Sequence, residues 1–384
     1  MKLLLIPDKF KGSLTSEEVS KAFMAGVEKA GIKCTSRYIR ASDGGEGFMD
    51  AVANYRACVS VQLISKNPLG KPIQSYYLYN NKTNSAYIEL ANASGMELLT
   101  VTERNPMNTS TFGTGLQIMD AVKKGIKNIF IGLGGSATND GGIGIAQALG
   151  YSFLDNEGKK LPPTGASLNH IKTVDDTGVA VNLKKVNFYA VNDVTNPLFG
   201  MYGAAYVYAA QKGATKAMIK ELNLGLENLN KVVSEKYTVQ YAQLPGSGAA
   251  GGVAYGLKSF LGANYTSGID FILELSGVEK LLTKGNFDYL ITGEGKIDEQ
   301  TLNGKLIQGL LKLGKKYNIR VIAICGKLDI SKNELIERGV FDVFEIQNPM
   351  KSLDYNMQNA GQLLVKKTTE YFRLRQKDIH IKHH

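Results

Sequence analysis

Residues 2–40 read KLLLIPDKFKGSLTSEEVSKAFMAGVEKAGIKCTSRYIR, and this stretch decides the fold. KLLLIP is an unbroken apolar run, which predicts a buried strand of the kind found inside parallel sheets. DKFKGSLT follows as a loop. A helix is predicted from about Ser16 to Lys29, because Thr15 with Glu18 three residues on makes a capping box and Gly31 closes the run. CTSRYIRA is a second strand, so the chain opens as strand, loop, helix, strand, the start of a parallel sheet.

Working outward, the second strand runs into RASDGGEGFMD (40–50), and LITGEGKID (290–298) repeats the style. Both set carboxylates among glycines at an expected strand end. Asp43, Glu46, Glu294 and Asp298 are therefore candidate cation ligands, since acidic glycine-rich loops make poor core and good metal sites. Between these stretches, residues 59–90 alternate apolar and polar with turn signals, which predicts an antiparallel portion. FDYLITGEG then resumes the buried-strand style, followed by helix, RVIAICG, helix, VFEIQN and a last helix. The expected organisation is a discontinuous parallel-sheet domain, 1–65 with 287–384, into which a second α/β domain, 66–286, is inserted. The loops after KLLLIP, SRYIRA and FDYLIT then share the carboxyl edge of one sheet, where open α/β sheets bind ligands.

Composition fits this picture. The 384 residues exceed one ordinary core, and 43% hydrophobic with 21% charged residues is the balance of a globular protein. No apolar run approaches the roughly 18 residues that a membrane span needs, and the amino-terminal run lacks a cleavage site, so no membrane and a cytoplasmic location are expected. The net charge of +10 comes from scattered lysines and the carboxyl tail rather than a basic stripe with aromatics. Nucleic acid is therefore not an expected partner, whereas anionic small molecules are. Three cysteines without a C-x-x-C pair indicate neither disulfides nor zinc. Three of four histidines lie in the last five residues, which leaves acid–base work to carboxylates and lysines.

The richest motif is IFIGLGGSATNDGGIGIAQALG (129–150). A buried strand enters a loop with six glycines and a helix leaves it, an arrangement that lets backbone N–H groups approach an anion. Gly134, Gly135, Ser136, Thr138, Asn139, Asp140 and Gly141 are the candidate nucleotide-binding residues, with Gly293 from the later acidic stretch. The rival reading takes Gly132–Asp155 as a dinucleotide-binding unit of an oxidoreductase, with G-x-G-x-x-A and a strand ending in Asp155. TSTFGTGLQ (109–117) offers Thr111 to hold a carboxylate or to cap a helix, and LPGSGAAGGVAYG (244–256) reads as close helix packing. Lys9, Lys11, Ser13, Gly44 and Gly45 are candidate substrate-binding residues in the strand-end loops. Asp193, beside Asn192 and Asn196 after the strand VNFYAV, is the expected base, with Asp8 and Asp43 behind it. An Asx-turn before Pro197 is its bland alternative. No Walker A pattern, G-x-S-x-G elbow or H-E-x-x-H occurs.

The series IPDKFKGSLTSEEV, SDGGEGFMDA, GLGGSATNDGGIGIAQALG, NDVTNPLFGMYGAAYVYAAQKGA, PGSGAAGGVAYG and ITGEGKIDEQTLNGK closely resembles the class I glycerate kinase family, in order from Met1 to about residue 370. The resemblance implies ATP-dependent phosphorylation of D-glycerate with Mg2+, usually to 2-phosphoglycerate. It also implies two α/β domains, a Rossmann-like one and an inserted flavodoxin-like one. Asn192 and Asn303 depart from the residues common in the family, and neither removes a charge from a motif. Phosphoryl transfer answers why acidic and glycine-rich loops occur together: it needs reacting oxygens held in line and phosphate charge offset by Mg2+ on carboxylates. On that chemistry Glu294 and Asp298 are the expected metal ligands. A noncatalytic sugar-acid or nucleotide-binding module is the remaining alternative.

Overall fold

The computed structural model describes residues 1–40, 47–179, 181–298 and 305–381. Asp43, Gly44, Gly45 and Glu46 lie outside the described residues. The strands are β1 (Lys2–Leu5), β2 (Thr35–Tyr38), β3 (Val59–Lys66), β4 (Pro72–Asn80), β5 (Ser85–Glu89), β6 (Asn128–Gly132), β7 (Ser152–Leu154), β8 (Thr173–Asp175), β9 (Asn187–Val191), β10 (Asn264–Thr266), β11 (Tyr289–Ile297), β12 (Arg320–Leu328) and β13 (Asp342–Glu345). The chain forms two compact units, Met1–Ser42 with Ile272–His384, and Asp43–Phe271.

The first unit holds a parallel sheet in the order β13-β12-β11-β1-β2. β1 lies between β11 and β2, and Leu3, Leu4, Leu5 and Ile6 are all buried, as their unbroken apolar run requires. Helix Ser16–Lys29 starts on the predicted box: Glu18 N–H donates to Thr15 Oγ1 at 3.2 Å and Thr15 N–H to Glu18 Oε2 at 2.8 Å. Its buried face, Val19, Phe23 and Val27, joins Leu3, Leu5, Ile291, Ile322 and Phe372 in one core. Each such side chain contributes roughly 1.5–3 kcal/mol of burial. Phe23 meets Phe372 of helix Ala360–Ile381 edge-on at 5.9 Å.

The second unit has a mixed sheet, β10-β9-β6-β5-β4-β3. β10, β9, β6 and β5 run parallel, and β4 and β3 add an antiparallel meander. β3 therefore lies here and not in the amino-terminal segment expected to reach residue 65. The cause is the turn after it: Asn67 Oδ1 accepts from the N–H groups of Leu69 and Lys71, Gly70 is left-handed, and β3 is committed to β4 along its full length. The unit boundaries accordingly fall at 42/43 and 271/272 rather than at 65/66 and 286/287. The 2-1-3-4-5 order of flavodoxin-type sheets, expected of the inserted unit, belongs to the discontinuous one instead.

Candidate active site

In the first unit the strand order reverses between β1 and β11, the place where open α/β sheets take ligands. The loop leaving β1 is laid along β11: Ile6 N–H donates to the Ile291 carbonyl and Asp8 N–H to the Gly293 carbonyl, both at 2.8 Å. Asp8 Oδ1 accepts from Lys9 N–H at 2.7 Å. A tight turn follows at Phe10–Leu14, with Gly12 left-handed, and Ser13 Oγ donates to the Phe10 carbonyl at 3.0 Å. Lys9 and Lys11 are exposed beside it. The structure thus brings Asp8, Lys9, Lys11, Ser13, Gly293 and Glu294 to one strand edge.

TGEGKI is not the loop that its glycines suggest. β11 continues through it, pairing Glu294 with Cys325 and Lys296 with Lys327 of β12. The glycines serve backbone approach: a Cβ on Gly293 would overlap the Ile324 carbonyl, and one on Gly295 would stand 3.2 Å from Lys11 N. Strand alternation puts Glu294, Lys296 and Asp298 on the same side. There Lys296 Nζ lies 3.1 Å from Asp298 and 2.9 Å from Asp329, and Lys327 Nζ lies 2.6 Å from Asp329. Hydrogen bonds from Lys327 and Lys296 hold the Asp329 carboxyl below its usual range, and those same acids raise Lys296. Burial pushes the Cys325 thiol well up, with Glu345 and Glu294 adding to it.

Among the described residues no group of three or more His, Cys, Asp or Glu is arranged to hold a metal ion. The all-oxygen pair Glu294 and Asp298 still fits Mg2+, which takes one or two carboxylates and completes its shell with phosphates and water. The Lys296 ammonium occupies the cation position at Asp298.

In the second unit the carboxyl ends of β5, β6 and β9 line up Glu89, the 132–142 turn and Asp193. Gly135, Gly141 and Gly142 are left-handed. The turn is pressed against 246–256: Gly141 N–H donates to the Gly251 carbonyl at 3.1 Å, and a Cβ on Gly256 would overlap the Gly141 carbonyl. Close packing is thus what PGSGAAGGVAYG supplies, helped by three consecutive left-handed residues, Ala250–Gly252. The helix leaving the turn, Ile143–Ala148, spans only six residues, so its dipole adds less than the motif suggests.

Asp140 and Thr111 brace the turn from within. Both are fully buried, and the Asp140 carboxylate accepts from Thr111 N–H (2.8 Å), Thr111 Oγ1 (2.7 Å), Gly142 N–H (3.1 Å) and Gly144 N–H (3.3 Å). Burial raises its carboxyl above the usual range against the pull of those four donors. Asp193 is half-buried, Oδ1 accepting from Ser267 Oγ at 2.8 Å and Oδ2 from Ile269 N–H at 3.1 Å, so it ties down the start of helix Gly268–Ser276. Asn196 bonds Tyr208 and the Tyr202 carbonyl rather than Asp193. The dinucleotide reading fails on topology: β7 pairs antiparallel with β8 in a separate ribbon, and Asp155 folds its own turn through Glu157 and Lys159 N–H.

Two residues escaped the sequence reading. Glu89 accepts from the N–H groups of Gly47 and Met49 at 3.1 Å each. Lys212 is the one cation in the apolar run AAYVYAAQKGA, and its Nζ reaches Ser136 Oγ and the Thr138 carbonyl, both at 2.7 Å.

With this geometry in hand, the sequence pattern described as the glycerate kinase family matches residues 3–376. The chain belongs to the glycerate kinase family. Among its relatives, a glycerate kinase of Halalkalibacterium halodurans is 37% identical over 94% of this chain and 95% of its own. A glycerate 2-kinase of Escherichia coli is 36% identical over 94% of each. The crystal structure of a putative glycerate kinase 2 from Salmonella typhimurium superposes with a TM-score of 0.78 at 34% identity, covering 99% of both chains.

Proposed function

We propose that this chain is a glycerate kinase that transfers the γ-phosphoryl group of ATP to D-glycerate, giving 2-phosphoglycerate, with Mg2+. The observation that carries this reading is end-to-end similarity to relatives named for that activity; the Escherichia coli relative's name favours the 2-hydroxyl. No described helix is long and apolar enough to cross a membrane, which agrees with small-molecule substrates met in the cytoplasm.

In this reading the turn formed by Gly134, Gly135, Ser136, Thr138, Asn139 and Gly141 faces the nucleotide phosphates, braced by Asp140 and Thr111. Gly293 lets β11 close on β12, which supports the strand edge that carries Glu294. Lys9, Lys11 and Ser13 hold the glycerate carboxylate or the transferred group. Glu294 and Asp298 would hold Mg2+, which when bound offsets phosphate charge. For that, Lys296 turns from Asp298 to Asp329, its second partner. Asp193 takes the hydroxyl proton, oriented by the bonds it accepts from Ser267 Oγ and Ile269 N–H. Asp8 and Asp43 are the next candidates.

Release of ADP on mixing the protein with ATP, Mg2+ and D-glycerate tests the reading. Release should require both glycerate and Mg2+, and its absence with every small hydroxy acid tried would refute it.

A further inference from the structure

Beneath the glycine-rich turn lies a buried cation. Lys212 is 2% exposed and gives two of its three N–H donors to the turn, at Ser136 Oγ and the Thr138 carbonyl. The charge set against it is Asp140, whose oxygens already accept four donors from Thr111, Gly142 and Gly144. As packing alone such an ammonium is a poor choice, because an apolar side chain of similar volume fills a buried site without the desolvation penalty. The turn above is also incomplete. Among the described residues neither side-chain polar atom of Asn139 nor the Thr138 hydroxyl has a partner, although both residues are fully buried. Buried polar atoms left this way call for a partner, which an ion, a water or a ligand can supply.

We propose that Lys212 is a positioning residue for nucleotide binding: its ammonium holds Ser136 and the Thr138 carbonyl so that the 134–139 turn presents its N–H groups to a phosphate, whose charge it offsets. This rests on the assignment of the ATP phosphates to that turn. Two further features support it. The Thr138 carbonyl that Lys212 holds is also packed against Gly251, where a Cβ would overlap it, so the turn is fixed at this carbonyl by both. Burial also holds the ammonium down at about 7, with Asp140 alone pulling it back up. Of the other elements packed there, the 104 segment meets the adjoining Gly213 through the Arg104 carbonyl. A bound phosphate favours the charged form, so nucleotide affinity should fall as pH rises through 7 toward 9.

The test is direct ATP binding by calorimetry, without glycerate, at pH 6.5 and 8.5, for wild type, Lys212→Met and Lys212→Gln. Gln keeps donors for the two acceptors and removes the charge. Wild type should bind more weakly at the higher pH. Met should raise Kd by roughly tenfold or more, the scale of one charge-assisted hydrogen bond, and both variants should lose the pH dependence. The KM for glycerate should stay within about twofold. Unchanged ATP affinity and an unchanged pH profile in folded Met or Gln would overturn the proposal alone, leaving the kinase reading intact. Failure of both variants to fold would make Lys212 structural and overturn it too. Wild type that binds no ATP would refute the nucleotide assignment itself.

Discussion

The two sheets end in the same residue types and treat them oppositely. At the carboxyl edge of the first unit, Lys296, Lys327, Asp298 and Asp329 form ion pairs open to solvent. At that of the second, Asp140 and Lys212 are shut in and every bond they make is to the glycine-rich turn and its supports. The open charges can exchange partners with little cost, as the proposed cation and substrate site requires. The buried charges cannot, and instead determine the shape of the backbone. Charge in a strand-end motif therefore does not say by itself whether the group faces solvent or braces the backbone.

Three substitutions and one titration would break or sharpen that contrast. The largest effect is expected for Asp193→Asn, since Asp193 stands at the edge of the buried set and is itself half exposed. As the base it should lower kcat by roughly 10²–10⁴ with ATP binding retained and little change in Tm. A drop in Tm with kcat near wild type would move it to the bracing class as a helix-start ligand of Ser267 and Ile269. Next, Asp298→Asn should cut kcat by about 10³, because a catalytic cation's ligand contributes several kcal/mol of charge stabilisation. It should raise the Mg2+ concentration needed for half-maximal rate and leave Tm nearly unchanged; normal turnover with normal Mg2+ demand would place the metal elsewhere.

Asp140→Asn should do the reverse. Its amide nitrogen would face donors it cannot accept, so stability should fall by about 1–3 kcal/mol in denaturant titration. A wild-type midpoint would show that the four donors do not need the carboxylate. The last effect is a pH term. The Lys212 ammonium has its pKa lowered to about 7 by burial, whereas in the unfolded chain it is near 10.4. Between those values the unfolded state binds more protons, so this group makes stability rise with pH, by at most about 1.4 kcal/mol per unit, and adds no slope below 7. Subtracting the curve for Lys212→Met from wild type between pH 7 and 9 isolates it; a flat difference would contradict the buried, unprotonated state.

How far the sequence foretold this depends on whether a signal was local. KLLLIP, the Thr15–Glu18 box and Gly31 are local, and the first strand, helix and second strand follow them closely. TGEGKI misled because its glycines mark a ladder, where Gly293 and Gly326 let neighbouring strands close, and a glycine reads the same in a loop. The strand at 59–66 went to the wrong unit because only the Asn67–Gly70 turn, not its own pattern, says which sheet it joins. Asp140 was legible as part of a motif but not as a brace, since Thr111 lies 29 residues away in sequence. Lys212 was hidden for the same reason, 76 residues from Ser136, with nothing in AAQKGA to announce that the lysine turns inward.

Transfer of the phosphoryl group from ATP to the 2-hydroxyl of glycerate, as proposed, can be read from 31P NMR of the reaction mixture. Phosphorus on the 2-oxygen is coupled to a single methine proton, and on the 3-oxygen to two methylene protons. ATP should be consumed to ADP, with growth of one phosphomonoester resonance split into a doublet, only when D-glycerate and Mg2+ are both present. A triplet would move the transfer to the 3-hydroxyl, and ADP formed with inorganic phosphate alone, or no ADP at all, would contradict the claim.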